Sequence, residues 1–183
     1  MAARAVPTPL AQIPNALTVF RLILIPVFVA LLLAADGGHS WPAAIVFAVG
    51  GVTDQVDGWL ARRWHVESSF GKIADPLADR LMIDAAVLLL WYADRLPWVA
   101  LAIPARDLAL IAGYKLVVGR GYDFSVNLAG KIATWLLYAS LAFVMVTREG
   151  TDWPLWIFWA GVGIAVVSLL GYLRKARREV KTA

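Results

Sequence analysis

Four aspartates, Asp54, Asp57, Asp75 and Asp79, lie close together in a chain that is otherwise strongly apolar. Asp54 and Asp57 are three positions apart, and Asp75 and Asp79 are four apart, so each pair shares one face of a helix. Carboxylate oxygens are the ligands that Mg²⁺, Mn²⁺ and Ca²⁺ prefer. Two such pairs on neighbouring helices predict two divalent cations about 4 Å apart, a geometry that clamps a phosphoryl group between attacking and leaving oxygens.

The residues between the aspartates also favour a functional site. Gly58 directly follows Asp57, at a helical position where glycine costs about 1 kcal/mol relative to alanine. The missing side chain would let a ligand approach the backbone, and Arg62 and Ser68 can donate hydrogen bonds to phosphate oxygens. A single aspartate at a helix end is more often a cap or a solvated charge, but the whole set with this spacing is not explained in that way.

The composition indicates a protein of the lipid bilayer. Of 183 residues, 61% are hydrophobic and 16% are charged, whereas soluble domains have about 45–50% and about 25%. The absence of cysteine excludes disulfides and thiolate metal sites. The net charge of +4 is modest, so no nucleic-acid partner is expected. The length predicts one domain over residues 1–183.

The apolar segments predict an all-α integral membrane protein with six transmembrane helices, each near the roughly 20 residues that span a bilayer. Asn15 is predicted to cap the first helix and Pro26 to kink it. The third helix is expected to begin after Pro76, and the fourth to contain Pro104. The predicted spans cover approximately residues 16–35, 41–64, 77–92, 97–118, 128–147 and 153–172.

The basic residues predict the orientation of these helices. Most of the 17 lysines and arginines lie near the termini, the second loop and the fourth loop, whereas Arg95 and Arg148 lie near the opposite helix ends. Cytoplasmic loops carry the excess of positive charge in membrane proteins. Both termini and the aspartate segment are therefore predicted to be cytoplasmic.

The aspartates belong to a longer pattern, because residues 54–79 read Asp-x2-Asp-Gly-x2-Ala-Arg-x8-Gly-x3-Asp-x3-Asp. This pattern matches the signature of the CDP-alcohol phosphatidyltransferases without a gap or a substitution. The opening segment IPNALTVFRLILIPVFV and the six-helix length also resemble this family. The resemblance covers most of the chain and is weakest after residue 120.

The resemblance implies an enzyme that cleaves the pyrophosphate of a CDP-linked lipid, releases CMP and joins the phosphatidyl group to an alcohol. It implies that Asp54, Asp57 and Asp75 bind two Mg²⁺ or Mn²⁺ ions, and that Asp79 also touches a metal and acts as general base on the acceptor hydroxyl. Family members are usually homodimers that take CDP-diacylglycerol from the membrane. The positions that match contacts to the CDP group are Asn15, Thr18, Gly58, Arg62 and Ser68.

Three cations are candidates for binding a phosphate of the acceptor: Arg106, Lys131 and Arg21. The alternative for Arg106 is a local pair with a carboxylate, although the adjacent Asp107 is not expected on the same face. The alternative for Lys131 is a side chain that extends to the membrane interface. Arg21 follows Thr18 by one turn and is expected to face the same polar cavity.

Two alcohols are candidates for the acceptor, glycerol-3-phosphate and phosphatidylglycerol. Phosphatidylglycerophosphate synthases of this family usually carry Gly-Lys-x-Lys-Thr, whereas residues 130–134 here read Gly-Lys-Ile-Ala-Thr. The missing second lysine and the Arg-Asp pair look closer to cardiolipin synthases of the same family, whose acceptor is phosphatidylglycerol. The commonest members of this length use glycerol-3-phosphate, and we favour that acceptor.

A divalent-cation transporter is a competing interpretation of another class. Its carboxylates would be distributed along an ion path across the membrane. Here the four aspartates cluster at one predicted interface, which favours the enzyme.

Overall fold

The computed structural model describes residues 13–64, 69–108 and 128–182, and all regular secondary structure in these ranges is helical. Short 3-10 turns at Asp36–Gly38 and Trp98–Leu101 connect some of the helices. The α-helices are α1 (Ile13–Leu33), α2 (Trp41–Trp64), α3 (Ser69–Tyr92), α4 (described over 102–108), α5 (Leu128–Val146) and α6 (Trp153–Thr182).

Many helix boundaries lie close to the prediction, but the starts of α1 and α3 and the end of α6 differ from it. Helix α1 begins at Ile13, so Asn15 lies in its first turn and does not precede it as a cap. Helix α3 begins at Ser69 and includes Pro76, because a proline within a helix removes only one backbone hydrogen bond of the series. Helix α6 continues to Thr182 and takes in the basic tail that was predicted to follow it.

The start of the fourth helix also differs from the prediction. Pro97 precedes the 3-10 turn Trp98–Leu101, and the α-helix begins only at residue 102. Pro104 therefore lies in the first turn of α4, where a missing N–H costs nothing because that group has no partner within the helix. Residues 109–127, including the second part of the predicted fourth span, lie outside the described residues.

Local signals explain the beginning of α2. Ser40 precedes the helix, and its Oγ accepts a hydrogen bond from the Ala43 N–H at 3.2 Å. A serine at this position satisfies one of the N–H groups that a helix leaves unpaired at its start. Pro42 follows in the first turn, which is the helical position that tolerates proline best.

The core lies between α1, α2, α3 and α5. Phe28 of α1 and Phe47 of α2 are fully buried, with ring centroids 5.3 Å apart. Met82 of α3 and Leu141 of α5 are also fully buried in the same cluster. Helix α6 packs along α5, where Gly161 lies so close to the backbone of Ala133 that an added Cβ would be 3.3 Å from its carbonyl oxygen.

Arg95 joins three inter-helix turns at one end of the molecule. Its Nη2 donates to the carbonyl oxygens of Val144 at 2.7 Å and Thr147 at 2.8 Å, and its Nη1 donates to that of Gly37 at 3.3 Å. The α1–α2, α3–α4 and α5–α6 turns therefore lie together. The second half of α2, which carries Asp54, points away from this end.

One helix among the described residues is long and apolar enough to cross a membrane, Ala16–Leu33 with a mean hydropathy of 2.6. Two shorter apolar segments are Gly130–Val146 and Trp153–Ser168. Large apolar side chains are also exposed on several helices, which is unusual for the surface of a soluble monomer. Among them are Ile23, Val27, Ile45, Val52, Leu81, Leu88, Ile132, Trp135, Trp156 and Val167.

Candidate active site

Asp54 of α2 is paired with Arg21 of α1. The Arg21 Nη1 lies 2.8 Å from Asp54 Oδ1, and Gln55 Nε2 donates to Asp54 Oδ2 at 3.3 Å. The Arg21 side chain is fully buried, while the Asp54 side chain retains 21% of its exposure. A buried guanidinium requires a compensating negative charge, so this pair fixes the position of Asp54 relative to α1.

Asp79 of α3 is held from another helix. The hydroxyl of Tyr138, in α5, donates a hydrogen bond to Asp79 Oδ1 at 2.7 Å. The charges of Arg21 and Arg80 also act favourably on the Asp79 carboxylate. Asp79 is therefore a partly buried carboxylate with a defined donor on one oxygen.

Arg21 connects the two aspartates into one cluster. It contacts Asp54 directly and acts electrostatically on Asp79. Tyr138 donates a hydrogen bond to Asp79. The predicted convergence of α2 and α3 thus places one carboxylate from each helix in a shared polar cluster, to which α1 and α5 contribute the cation and the hydroxyl.

The described side chains do not include those of Asp57 and Asp75. They also do not include those of several predicted nucleotide contacts. Among the side chains that are described, no group of three acidic or histidine residues is arranged to hold a metal ion. Asp54 and Asp79 nevertheless supply hard oxygen donors from two adjacent helices, which fits Mg²⁺ or Mn²⁺. The nucleotide contacts concerned are Asn15, Gly58, Arg62 and Ser68.

Comparison with known proteins shows the family of the chain. The family model described as CDP-alcohol phosphatidyltransferase matches residues 11–167. The chain belongs to the CDP-alcohol phosphatidyltransferase family. It is therefore a transferase, and the resemblance seen in the aspartate signature is confirmed.

Two curated relatives of this phosphatidyltransferase carry the same name, CDP-diacylglycerol–glycerol-3-phosphate 3-phosphatidyltransferase. The protein from Bacillus subtilis (strain 168) is 35% identical, over 94% of this chain and 98% of its own length. The protein from Escherichia coli (strain K12) is 32% identical, over 92% of this chain and 97% of its own length. The similarity therefore extends over nearly the whole of both chains.

A second charged cluster of the phosphatidyltransferase lies between α3 and α4. Arg106 donates to Asp107 Oδ1 from Nη2 at 2.7 Å and from Nε at 3.0 Å, and Arg80 Nη1 donates to the same oxygen at 3.4 Å. The pairing of Arg106 with Asp107 corrects the expectation that adjacent side chains would face apart. Asp107 is buried, whereas the side chains of Arg80 and Arg106 retain 38% and 43% of their exposure.

The remaining predicted contacts differ in their surroundings. Thr18 is 1% exposed and lies one turn before Arg21 on α1. The burial of Arg21 against Asp54 favours a role beside the aspartates over the predicted contact with the acceptor. Lys131 is exposed near the start of α5. The buried Oδ1 of Asp84, in α3, has no hydrogen-bond partner within the described part of the chain.

Sequence reasoning missed Tyr138, Arg80 and the role of Asp107. Tyr138 lies in an apolar stretch of α5 where a tyrosine is unremarkable without knowledge of its neighbours. A buried tyrosine usually finds a partner for its hydroxyl, so the residue type alone signals a polar group nearby. Arg80 directly follows Asp79, and its position next to the end of the signature was the available signal.

Proposed function

We propose that this protein transfers the phosphatidyl group of CDP-diacylglycerol to glycerol-3-phosphate and releases CMP. The observation that carries the proposal is the shared polar cluster of Asp54 and Asp79, two aspartates of the family signature. The two relatives named above, which are similar over nearly their whole length, are named for this reaction.

In this proposal Asp79 is the general base. The acceptor hydroxyl oxygen forms a bond to the phosphorus that carries the diacylglycerol, and the bond from that phosphorus to the oxygen of CMP breaks. CMP leaves with the bonding electron pair, and the hydroxyl proton passes to the Asp79 carboxylate. A carboxylate that is already hydrogen-bonded and oriented by Tyr138 is prepared for this transfer.

The four signature aspartates, Asp54, Asp57, Asp75 and Asp79, would hold two Mg²⁺ or Mn²⁺ ions. When bound, these ions supply positive charge that neutralises the diphosphate and the departing phosphate. Arg21 offsets part of the negative charge of the aspartate cluster from within the protein. Thr18, Asn15, Gly58, Arg62 and Ser68 are proposed to contact the CDP group, as the family signature implies.

Arg106 and Arg80 are the proposed binding groups for the phosphate of glycerol-3-phosphate. Both guanidinium groups share Asp107 Oδ1 as an acceptor, which holds them together on one side of α4. Their partial exposure leaves N–H donors directed to solvent, and guanidinium groups bind phosphate oxygens well. Lys131 is proposed as a further cation of the same acceptor site.

Phosphatidylglycerol is the second candidate acceptor, and one position favours it. Ala133 replaces the second lysine of the Gly-Lys-x-Lys-Thr pattern, and it is 2% exposed where α5 meets Gly161 of α6. This position therefore supplies no cation to a small anionic acceptor. An acceptor bound partly through its acyl chains would depend less on such a charge.

We further propose that the six helices cross the membrane, with both termini and the aspartates on the cytoplasmic side. The apolar helix Ala16–Leu33 and the exposed apolar side chains of the other helices support this arrangement. Arg95, in the turn that connects α3 to α4, contacts the turns that connect α1 to α2 and α5 to α6. These turns lie at the same end of the molecule, as expected when successive helices alternate in direction. A homodimer, usual in the family, is part of the same proposal.

The test supplies the purified protein with labelled CDP-diacylglycerol, Mg²⁺ and one acceptor at a time. Phosphatidylglycerophosphate formed with glycerol-3-phosphate supports the first proposal, whereas cardiolipin formed with phosphatidylglycerol supports the second. Divalent-cation flux into vesicles, without CMP release with either acceptor, would reject both transferase proposals. It would support the interpretation of the protein as a divalent-cation transporter.

A further inference from the structure

We propose that Tyr138 is a positioning residue for Asp79, and that its hydroxyl fixes the carboxylate in the orientation that the transfer requires. The inference rests on the proposed function, in which Asp79 is a metal ligand and the general base. Tyr138 belongs to α5, outside the aspartate signature of α2 and α3.

The hydrogen bond joins a buried tyrosine to a partly buried carboxylate. Tyr138 is 8% exposed, and its hydroxyl lies 2.7 Å from Asp79 Oδ1. A hydrogen bond to an ionised acceptor is shorter and roughly twice as strong as one between neutral groups. The bond therefore limits rotation of the carboxylate and presents its second oxygen in one direction.

The ring of Tyr138 is itself fixed by two neighbours on α2. Its centroid lies 4.9 Å from that of Phe47. On the same helix, a Cβ added to Gly51 would lie 2.8 Å from Tyr138 Cδ1. The absence of a side chain at Gly51 is thus what allows the ring to lie against α2. The hydroxyl is held by packing and cannot follow Asp79 to another position without moving the ring.

The hydrogen bond from Tyr138 acts on Asp79, one of the proposed metal ligands. Groups that hydrogen-bond to metal-binding carboxylates orient them, and removing such a group typically lowers metal affinity or activity by about 10- to 100-fold. The geometry assigns this function to Tyr138.

The test replaces Tyr138 by phenylalanine, which keeps the ring and its packing and removes only the hydroxyl. The matched control is Tyr92→Phe, since Tyr92 is 78% exposed at the end of α3. Purified proteins are compared for steady-state kinetics at saturating Mn²⁺ and for Mn²⁺ binding by electron paramagnetic resonance. The second measurement does not depend on turnover.

For Tyr138→Phe we expect kcat to fall about tenfold or more, with a weaker Mn²⁺ affinity and unchanged KM values for both substrates. Tyr92→Phe should match the wild type in every measurement. The inference is overturned if Tyr138→Phe keeps the wild-type kcat and Mn²⁺ affinity, including the case in which only its thermal stability falls. Absence of transfer by the wild-type protein would instead reject the proposed function, and Mn²⁺ binding would still test the role of Tyr138.

A second variant keeps the hydroxyl group of Tyr138 and displaces the ring that carries it. Gly51→Ala introduces a Cβ against the rigid ring of Tyr138, whereas Gly50→Ala meets only the flexible end of Met82, with Cε 2.6 Å from the added atom. Gly51→Ala should therefore reproduce the kinetic loss of Tyr138→Phe, and Gly50→Ala should not. Equal activity of the two alanine variants would contradict the proposed positioning.

Discussion

The guanidinium of Arg21 lies 2.8 Å from the carboxylate of Asp54, and the Arg21 side chain is fully buried. This ion pair joins α1 to α2 at the point where the aspartates gather. Carboxylates placed close together repel one another, and the charge of Arg21 offsets part of that repulsion at Asp54 and at Asp79. The protein therefore carries a fixed counterion within its aspartate cluster.

Loss of this counterion is expected to destabilise the fold. Arg21→Met should lower the free energy of unfolding by about 3 kcal/mol or more, since breaking a buried ion pair leaves its partner uncompensated. Thermal unfolding of the detergent-purified protein measures the change. Arg63→Met is the matched control, because Arg63 is exposed on α2 and should have little effect on stability. Equal unfolding temperatures for the two variants would show that the pair does not stabilise the protein.

Asp79→Asn should abolish turnover while leaving metal binding partly intact. The amide keeps the shape of the side chain and still accepts from Tyr138, but it cannot take the proton of the acceptor hydroxyl. Removal of a general base typically costs about 10²- to 10⁴-fold in rate. CMP release from labelled CDP-diacylglycerol measures the loss, with Asp94→Asn, in the turn that follows α3, as control. Retained CMP release in Asp79→Asn would remove Asp79 from the role of base.

Arg106→Gln should weaken binding of glycerol-3-phosphate and leave binding of CDP-diacylglycerol unchanged. A hydrogen bond to a charged group contributes about 1.5–3 kcal/mol, so the KM for the acceptor should rise about tenfold or more. The exposed Arg148, at the opposite end of the molecule, provides the control Arg148→Gln. If Arg106→Gln raises both KM values equally, the residue supports the site as a whole and does not select the acceptor.

Asp57→Ala should abolish both metal binding and turnover. Asp57 follows Asp54 by three residues on α2, which places the two on one face of the helix. Mn²⁺ binding and CMP release are measured together, with Asp36→Ala as control because Asp36 is exposed in the α1–α2 turn. Full Mn²⁺ affinity in Asp57→Ala would exclude this residue from the metal site.

The sequence predicted the helices and the family, but not the contacts that hold the aspartates. Spacing placed Asp54 and Asp79 on adjacent helices, because local periodicity determines which residues share a face. Tyr138 lies 59 residues beyond Asp79, and no local pattern indicates which side chain of α5 meets α3. The pairing of Arg21 with Asp54 depends in the same way on how α1 packs against α2.

The proline at residue 76 shows why helix boundaries were less predictable. Proline is frequent at helix starts, and this preference placed the beginning of α3 after Pro76. The helix begins at Ser69 instead, because a single missing N–H does not prevent the preceding residues from completing their own turns.

Arg95→Gln should destabilise the protein without changing its catalytic constants. Arg95 donates to Val144, Thr147 and Gly37, and these carbonyl groups belong to the end of the molecule away from Asp54. Glutamine is too short to reach all three, so the free energy of unfolding should fall by about 1.5–3 kcal/mol. Unfolding temperature and steady-state kinetics are measured on the same preparation, with Arg148→Gln as control in the neighbouring turn. Within the described residues, no contact connects Arg95 to Arg106. A changed KM for glycerol-3-phosphate in Arg95→Gln would therefore contradict the proposed acceptor site at Arg106, away from the turns around Arg95.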